Sequence, residues 1–409
     1  MKRCSMNYTF NYDVSVILVN YNGKKYIDAL FDSLIRLEHD DFTFEVVFVD
    51  NNSSDGSVEY LKQNYKDKCN LNIVETGENK GFAGGNNAGV AASSGRYVVL
   101  LNNDTAVDPK WLTNLYHFMQ KHPECGMANS KLLFFYDFIK LTFETSDKVI
   151  LNKEIRINGK EYTIDSKFCK NLLYEPDQLV CFGHTEISVP LIEGLESQSD
   201  YQFEFEVKSA PAGSKIKCET ESVEAQSGKV LLELDNSKIQ EFRYSLIQNA
   251  GSGINQDYDG FDIGFCEKDS EKYQKSYELT NGCGASIMML REDFDKAGCF
   301  DERFFMYYED TDLSLRIRKL GKKILFCPDS IVRHIHTGSS KEWSPFFTYH
   351  VYRNKLLMIG KNVSKKAYWK YFLQQYYLGI RHRDPMKRKG TMDSLKILRG
   401  NNDVHYEAQ

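Results

Sequence analysis

Arg96-Tyr97-Val98-Val99-Leu100-Leu101-Asn102-Asn103-Asp104-Thr105 is the stretch on which the fold turns. A short aliphatic run, partly β-branched, ends abruptly in a polar turn with one carboxylate. Such a run reads as a strand buried on both faces, and the turn as the point where the chain leaves the sheet. The same pattern occurs upstream. Val14-Ser15-Val16-Ile17-Leu18-Val19 ends at Asn20-Tyr21-Asn22-Gly23, and Glu45-Val46-Val47-Phe48-Val49 ends at Asp50-Asn51-Asn52-Ser53-Ser54-Asp55-Gly56. Leu71-Asn72-Ile73-Val74 is a further strand. Helical spacing fills the intervals: Ile27, Leu30, Phe31 and Leu34, then Val58 to Asn64, then Leu112, Leu115, Phe118 and Met119. Gly81, Gly84, Gly85 and Gly89 read as a glycine-rich approach to another helix. Alternating strands and helices predict a parallel sheet covered on both faces. Ligands of such sheets bind beyond the carboxyl ends of the strands, where Asn20, Asp50 and Asp104 stand.

The pattern changes after this first part, assigned to residues 1–138. From 139 to 245 helical periodicity fades, and Gln202-Phe203-Glu204-Phe205-Glu206-Val207-Lys208 alternates strictly. Lys215 to Glu219 and Lys229 to Leu234 are further strand candidates, so this part reads as a β-rich insertion in the manner of a small sandwich. The α/β pattern resumes over 246–360. Cys283 to Leu290 reads as a buried strand, Leu313, Ile317 and Leu320 as a helix stopped by Gly321, and Lys323 to Pro328 as a strand closely followed by Ile331 to His336. Residues 361–409 form a helical tail that is aromatic (Tyr368, Trp369, Tyr371, Phe372, Tyr376, Tyr377) and then basic (Arg381, Arg383, Lys387, Arg388, Lys389).

The chain has 409 residues, 42% hydrophobic, with a net charge of -5. These are the proportions of a soluble globular protein, and the mild acidity argues against a nucleic-acid coat. Met1-Lys2-Arg3-Cys4-Ser5 resembles the start of a signal peptide, but Met6 to Asn11 is too polar for its apolar region. No run reaches the roughly 18 apolar residues of a membrane span. The 10 cysteines contain no CxxC pair, which predicts free thiols in a reducing cytoplasm.

Three groups of residues can carry chemistry. Asp104, at a strand end, suits Mg²⁺ or Mn²⁺, hard cations that take carboxylate oxygens and bridge to phosphate. An Asx turn or cap is the structural alternative. His334 and His336 share one side of an extended segment, and either can reach a metal at Asp104. Glu309, Asp310 and Asp312 cluster at a helix start, where acids complement the dipole and where a carboxylate pKa is expected to fall. Arg316 lies one turn from Asp312 and pairs with it, leaving Asp310 free to act as a base. Asp50 reads either as a nucleoside ligand or as a turn former, and the glycine run matches neither standard phosphate fingerprint. Asp257, Asp259, Asp262 and Glu267 read as a substrate rim or as a solvated loop.

Taken together, Val19-Asn20-Tyr21-Asn22-Gly23, Val49 to Ser57, Asn79 to Asn87, Leu101-Asn102-Asn103-Asp104-Thr105 and Tyr308 to Arg316 occur in an order that resembles the family 2 glycosyltransferases, most closely the rhamnosyltransferase-like branch. The resemblance covers roughly residues 13–135 and 247–360 and leaves the insertion unexplained. It implies a GT-A nucleotide-diphospho-sugar transferase fold and inverting transfer of a hexosyl or deoxyhexosyl group from a nucleoside-diphosphate sugar to a hydroxyl of a glycan or polyprenol-linked glycan. By this similarity Asn20, Asn22, Asp50, Asn52, Gly81 and Asn86 contact the nucleotide. Asp104 and His334 hold Mg²⁺ or Mn²⁺, with His336 as understudy, and Asn102 replaces the first acid of the family's DxD motif. Asp310 is the base, with Glu309, Asp312 and Arg316 orienting it or the acceptor. Arg353-Asn354 after Tyr349 matches a later helix signature. The tail can lie on the inner face of the cell membrane, pack on the catalytic domain or meet a second subunit. A glycan-binding scaffold with a degenerate core and a nucleotidyltransferase are the competing functions.

Overall fold

The structure, a computed structural model, describes residues 8–192, 199–335 and 344–401. Met1 to Ser5 and His336 lie outside the described residues. The chain divides into two compact units, one of Met1–Leu133, Gln248–Gly264 and Ser270–Gln409, the other of Phe134–Ile247 and Phe265–Asp269.

The first unit is an α/β GT-A-like fold. Its elements begin β1 (Tyr12–Asn20), α1 (Ile27–Ile35), β2 (Phe44–Asp50), α2 (Ser57–Asn64), β3 (Leu71–Glu75), α3 (Gly81–Ala91) and β4 (Gly95–Asn102). Strands β3, β2, β1 and β4 are adjacent in that order and all parallel. Every residue of β2 is buried, as the continuous apolar runs require. Next come β5 (Thr105–Val107), α4 (Trp111–Lys121), β6 (Cys125–Phe134), β7 (Ser286–Leu290), α5 (Glu309–Lys319) and β8 (Lys323–His334). Antiparallel β7 fills the gap between β4 and β6, so the sheet is mixed beyond its parallel half. Buried Trp111 donates its indole N–H towards Ser130 Oγ and Ser286 Oγ, each at 3.1 Å, so burial leaves its polar edge satisfied. The chain closes with α6 (Pro345–Asn362), α7 (Lys365–Arg381) and α8 (Pro385–Leu398). Leu356, Leu357, Tyr368, Phe372 and Ile397 of these helices share one cluster with Phe304.

Two readings of local sequence need correction. The glycine run is not an approach to a helix but the helix α3 itself. Gly81, Gly85 and Gly89 recur every fourth residue on one face, and a Cβ at Gly89 would stand 2.4 Å from Ile17 Cγ2. Gly85 and Gly89 let α3 lie closer to β1 than any side chain permits. The two segments Lys323 to Pro328 and Ile331 to His336 are likewise one strand as far as His334.

Among the described residues, the second unit is built on a nine-stranded antiparallel sheet. Tyr201–Ser209 buries Tyr201, Phe203, Phe205 and Val207 on one face, as its alternation requires. Phe138–Leu151 pairs along one edge with Leu179–Pro190 and divides its other edge between Lys215–Cys218 and Tyr201–Ser209. The branched sheet thereby gathers Phe143, Phe205, Ile216 and Leu232 into a single core of its own.

Gly89→Val tests the close approach of α3. Overpacking of this kind costs about 1–3 kcal/mol, which outweighs the helix propensity gained on losing glycine. The expected result is a lower urea midpoint at unchanged slope; an equal or higher midpoint would show that α3 can retreat without cost.

Candidate active site

The carboxyl edges of β1 and β2 are clasped by side chains. Asn20 faces Asp50 in the parallel register. Its amide donates to Asp50 Oδ1 and to Ser53 Oγ, both at 3.1 Å, and its oxygen accepts from Asn103 Nδ2 at 2.8 Å. Asp50 Oδ2 accepts the Ser53 backbone N–H at 2.8 Å. Asn22 accepts the Ser54 N–H at 2.8 Å and donates its own N–H to Ser53 Oγ. Asn22 and Asn52 occupy left-handed backbone with φ of 52° and 65°, a conformation asparagine tolerates better than most residues. Asn20, Asn22, Asp50 and Asn52 thus stand together at one edge. Gly81 borders this edge: its carbonyl accepts from the Asn51 amide at 2.8 Å, and a Cβ there would meet the Phe305 carbonyl at 2.4 Å. Asn86 is buried and donates back to Phe82 O of its own helix. Ser53 and Asn103 complete the clasp through long-range bonds that their ordinary turn composition does not signal.

Asp104 and His334 meet because β5 pairs antiparallel with the end of β8, setting His334 opposite Thr105. His334 Nε2 lies 3.1 Å from Asp104 Oδ1 and 3.3 Å from Asn102 Nδ2, while Nδ1 lies 2.7 Å from Gln248 Oε1. With Gln248 accepting, the imidazole proton sits on Nδ1 and the Nε2 lone pair faces a carboxylate oxygen. Two acceptors in that position call for a proton or a cation between them, and imidazole nitrogen with carboxylate oxygen is a donor set that divalent metals accept. Gln248 would then fix the ring as an outer partner. Among the described residues no three His, Cys, Asp or Glu side chains converge on one point, so this pair alone does not complete a coordination shell.

The three acids of α5 have three different environments. Asp312 is fully buried and is held by Arg316 Nε at 2.9 Å, Lys361 Nζ at 3.0 Å and Asn362 Nδ2 at 2.7 Å. Glu309 is also buried, but its Oε2 has no hydrogen-bond partner among the described residues. Burial, then the charges of Asp310 and Asp312, drive its pKa well above the ordinary range, favouring the neutral acid. Asp310 accepts the Gly284 N–H at 3.1 Å and the Thr311 N–H at 2.6 Å. Its pKa is nonetheless raised, because burial outweighs those bonds and nearby Asp262 adds to the rise. This reverses the downward shift expected from the helix dipole: desolvation at the carboxyl is the larger effect. Asp262, on the strand Gly260–Asp262, is the rim acid that joins this group; its Oδ1 accepts from Asn249 and Ser252. Part of the residue reaches solvent, yet desolvation at the carboxyl raises its pKa, with hydrogen bonds and His334 opposing.

The loop that delivers Glu309 and Asp310 is backbone-strained. Phe305, Tyr307 and Tyr308 all have positive φ, at 65°, 70° and 67°. Bulky residues there cost on the order of 1–3 kcal/mol each and persist only when neighbours fix them. Asn354 of α6 supplies that restraint. Its amide lies 2.8 Å from Phe304 O, 2.8 Å from Met306 O and 2.7 Å from Tyr307 O. Arg353 donates to Arg303 O and Phe304 O and, through Nε, to Asn354 Oδ1.

Known proteins resemble this chain in sequence and in fold. Residues 15–148 match the sequence profile of Glycosyl transferase family 2. That segment is similar to family 2 glycosyltransferases, and the unit that holds most of it has a GT-A-like fold. An uncharacterized glycosyltransferase of Haemophilus influenzae is 25% identical to it over 149 residues, 36% of this chain and 41% of that one. Poly(ribitol-phosphate) beta-N-acetylglucosaminyltransferase TarS of Staphylococcus aureus is 30% identical over 109 residues, 26% of this chain and 19% of that one. The putative teichuronic acid biosynthesis glycosyltransferase TuaG of Bacillus subtilis is 32% identical over 108 residues, 26% and 42% of the two chains. The family 2 core therefore spans less than half the length of each of these relatives. A crystal structure of GalNAc-T7 with UDP, GalNAc and Mn²⁺ superposes with a TM-score of 0.50 at 13% identity, covering 94% of this chain and 54% of that one, a likeness of fold.

Two substitutions probe the site. Asn354→Ala should lower stability by about 1–3 kcal/mol, the cost of carbonyls left unpaired, and should reduce sugar transfer more than donor binding. Loss of donor binding in parallel with turnover would mean that the loop does not act through α5. Glu309→Gln tests the buried acid. A group whose pKa is raised on folding stabilises below its unfolded pKa and loses that contribution as pH climbs through its folded value. The parent should therefore lose stability as pH rises above the ordinary carboxylate range, and the glutamine variant should show a shallower decline in urea midpoint. Identical slopes would place Glu309 outside the titrating set.

Proposed function

We propose that this chain is an inverting glycosyltransferase. It moves a sugar from a nucleoside-diphosphate donor to a hydroxyl of a glycan or polyprenol-linked glycan. The observation that carries this reading is the facing pair Asp104 and His334, 3.1 Å apart, at the sheet edge that also bears the Asn20 and Asp50 clasp.

Each group has a role set by its surroundings. The turn of Asn20, Asn22, Asp50 and Asn52 binds the nucleoside. Asp104 and His334 would hold Mg²⁺ or Mn²⁺, which when bound offsets the charge of the departing diphosphate. With only two protein ligands found among the described residues, donor phosphates and water would complete the shell. Asp310 receives the proton of the acceptor hydroxyl. The freed oxygen pair forms the new bond to the anomeric carbon as the bond to the donor phosphate oxygen breaks, and that pair leaves with the nucleoside diphosphate. A single displacement inverts the centre without an enzyme nucleophile. The raised pKa of Asp310 makes it a stronger base than an exposed aspartate while restricting activity to pH values at which it is ionised. The rhamnosyltransferase-like motif order supports a deoxyhexosyl donor, and the name of TarS supports N-acetylglucosamine as the other donor to try first.

The test is a donor screen by calorimetry, with and without Mn²⁺, followed by nucleoside-diphosphate release. dTDP-rhamnose and UDP-N-acetylglucosamine lead, with UDP-glucose, UDP-galactose and GDP-mannose after them. Asp310→Asn should retain donor binding and lose transfer by a factor of about 10² to 10⁴, the usual weight of a positioned base. Asp104→Ala should lose the metal-dependent part of donor binding. Pyrophosphate as the product would overturn the reading in favour of nucleotidyl transfer, and equal loss of binding and turnover in Asp310→Asn would remove the residue from the role of base.

A further inference from the structure

Among the described residues, nothing covers one face of helix α7. Tyr368, Tyr371, Phe372 and Gln375 are buried, and Trp369, Leu373, Tyr377 and Ile380 are 43%, 64%, 61% and 52% exposed. The exposed four recur at intervals of four, four and three residues, so they form one continuous stripe. Lys366, Lys370 and Arg381 are exposed along the same side of the helix, within about a quarter turn of the stripe. Across the last two helices and their flanking residues, from 365 to 399, ten lysines and arginines stand against two aspartates. On α8, Arg388, Met392, Lys396 and Arg399 are also exposed. No described helix is long and apolar enough to cross a membrane.

We propose that α7 docks on the surface of an anionic lipid bilayer, with Trp369, Leu373, Tyr377 and Ile380 entering the headgroup boundary and Lys366, Lys370 and Arg381 pairing with lipid phosphates. An amphipathic helix with aromatic and aliphatic residues bordered by cations is the form suited to the interface plane. Charge selects this occupant over a second copy of the chain. Two copies meeting through α7 would bring like-charged borders together, and the chain's net charge of -5 gives a bilayer no other basic reason to attract it. The docking is independent of the sugar-transfer reading and brings the chain to the surface where a polyprenol-linked acceptor would lie.

Flotation with vesicles of phosphatidylglycerol and phosphatidylcholine tests this on the full chain without donor, so that an inactive enzyme does not affect the outcome. Parent protein should float with mixed vesicles, not with phosphatidylcholine alone, and should be released by salt. Lys366→Gln, Lys370→Gln and Arg381→Gln together should weaken binding about a hundredfold, from the contribution of each cation near an anionic surface. Leu373→Asp with Tyr377→Asp should abolish it. Circular dichroism and unfolding midpoints would confirm that each variant is folded; if the aspartate pair fails to fold, Leu373→Ser with Tyr377→Ser replaces it and should weaken binding. No flotation of the parent, flotation unchanged in both folded variants, or a dimer by sedimentation that Leu373→Asp dissolves would each overturn the proposal.

Discussion

The antiparallel pairing of Thr105–Val107 with the end of Lys323–His334 is the constraint on which the rest depends. A three-residue ladder holds together side chains 230 positions apart in the sequence. Because strand register has a period of two, a slip by one residue would turn His334 to the opposite face and leave Asp104 without its counterpart. The same ladder is reinforced where Ile335 N–H donates to Asp104 O at 3.0 Å. The donor corner is therefore built on paired strands, whose side-chain directions are better fixed than those of a loop.

The acidic corner is built on a different principle. Glu309, Asp310 and Asp312 share one helical turn, and three ionised carboxylates there would repel one another strongly in a desolvated setting. The structure separates them chemically. Asp312 is neutralised by Arg316 and Lys361, and Glu309 is driven towards its neutral form by burial. Asp310 is left as the acid whose charge is opposed by desolvation and supported by two backbone N–H groups. The strained loop before it has a matching logic. Phe305, Tyr307 and Tyr308 would relax to ordinary backbone if released, so the position of Asp310 depends on Arg353 and Asn354, in a helix that begins after the whole sheet is complete.

How much of this was readable in the sequence follows from the range of each interaction. The strands β1, β2 and β4 were legible because burial on both faces writes itself into consecutive residues. Tyr201–Ser209 was legible for the opposite reason, since burial on one face writes alternation. Helix α3 was not, because glycine is a poor helix former and its justification lies in Ile17 and Val19 across the packing interface. At the site, the resemblance of motifs brought out Asp104, His334 and Asp310, and the structure adds what lies around them. Gln248 had no local signal, being one amide in an unremarkable segment. The direction of the Asp310 shift was misjudged since dipole arguments see only the helix, whereas desolvation depends on everything packed beside it. Asp262 was read as part of a substrate rim or of a solvated loop; its nearness to Asp310 and His334 arises from the return of the chain into the first unit.

Charge distribution connects the site to its surroundings. Outside residues 365–399, 42 lysines and arginines meet 55 aspartates and glutamates, so the remainder of the chain is considerably more acidic than its net charge of -5 indicates. An anionic surface would attract the last two helices and repel most of the rest. Opposed forces of this kind act as a torque as well as a tether. Screening confines them to about 10 Å at ordinary ionic strength, so orientation would be set only on close approach, when the apolar stripe of α7 can also engage. A donor carrying a diphosphate would meet the same acidic field, and a cation at Asp104 and His334 would then be electrostatically useful for binding as well as for departure of the leaving group. Under the two proposals, the chain's acidity and its basic tail would serve separable ends: one would favour a counter-ion at Asp104 and His334, and the other would give the last two helices a surface suited to a bilayer.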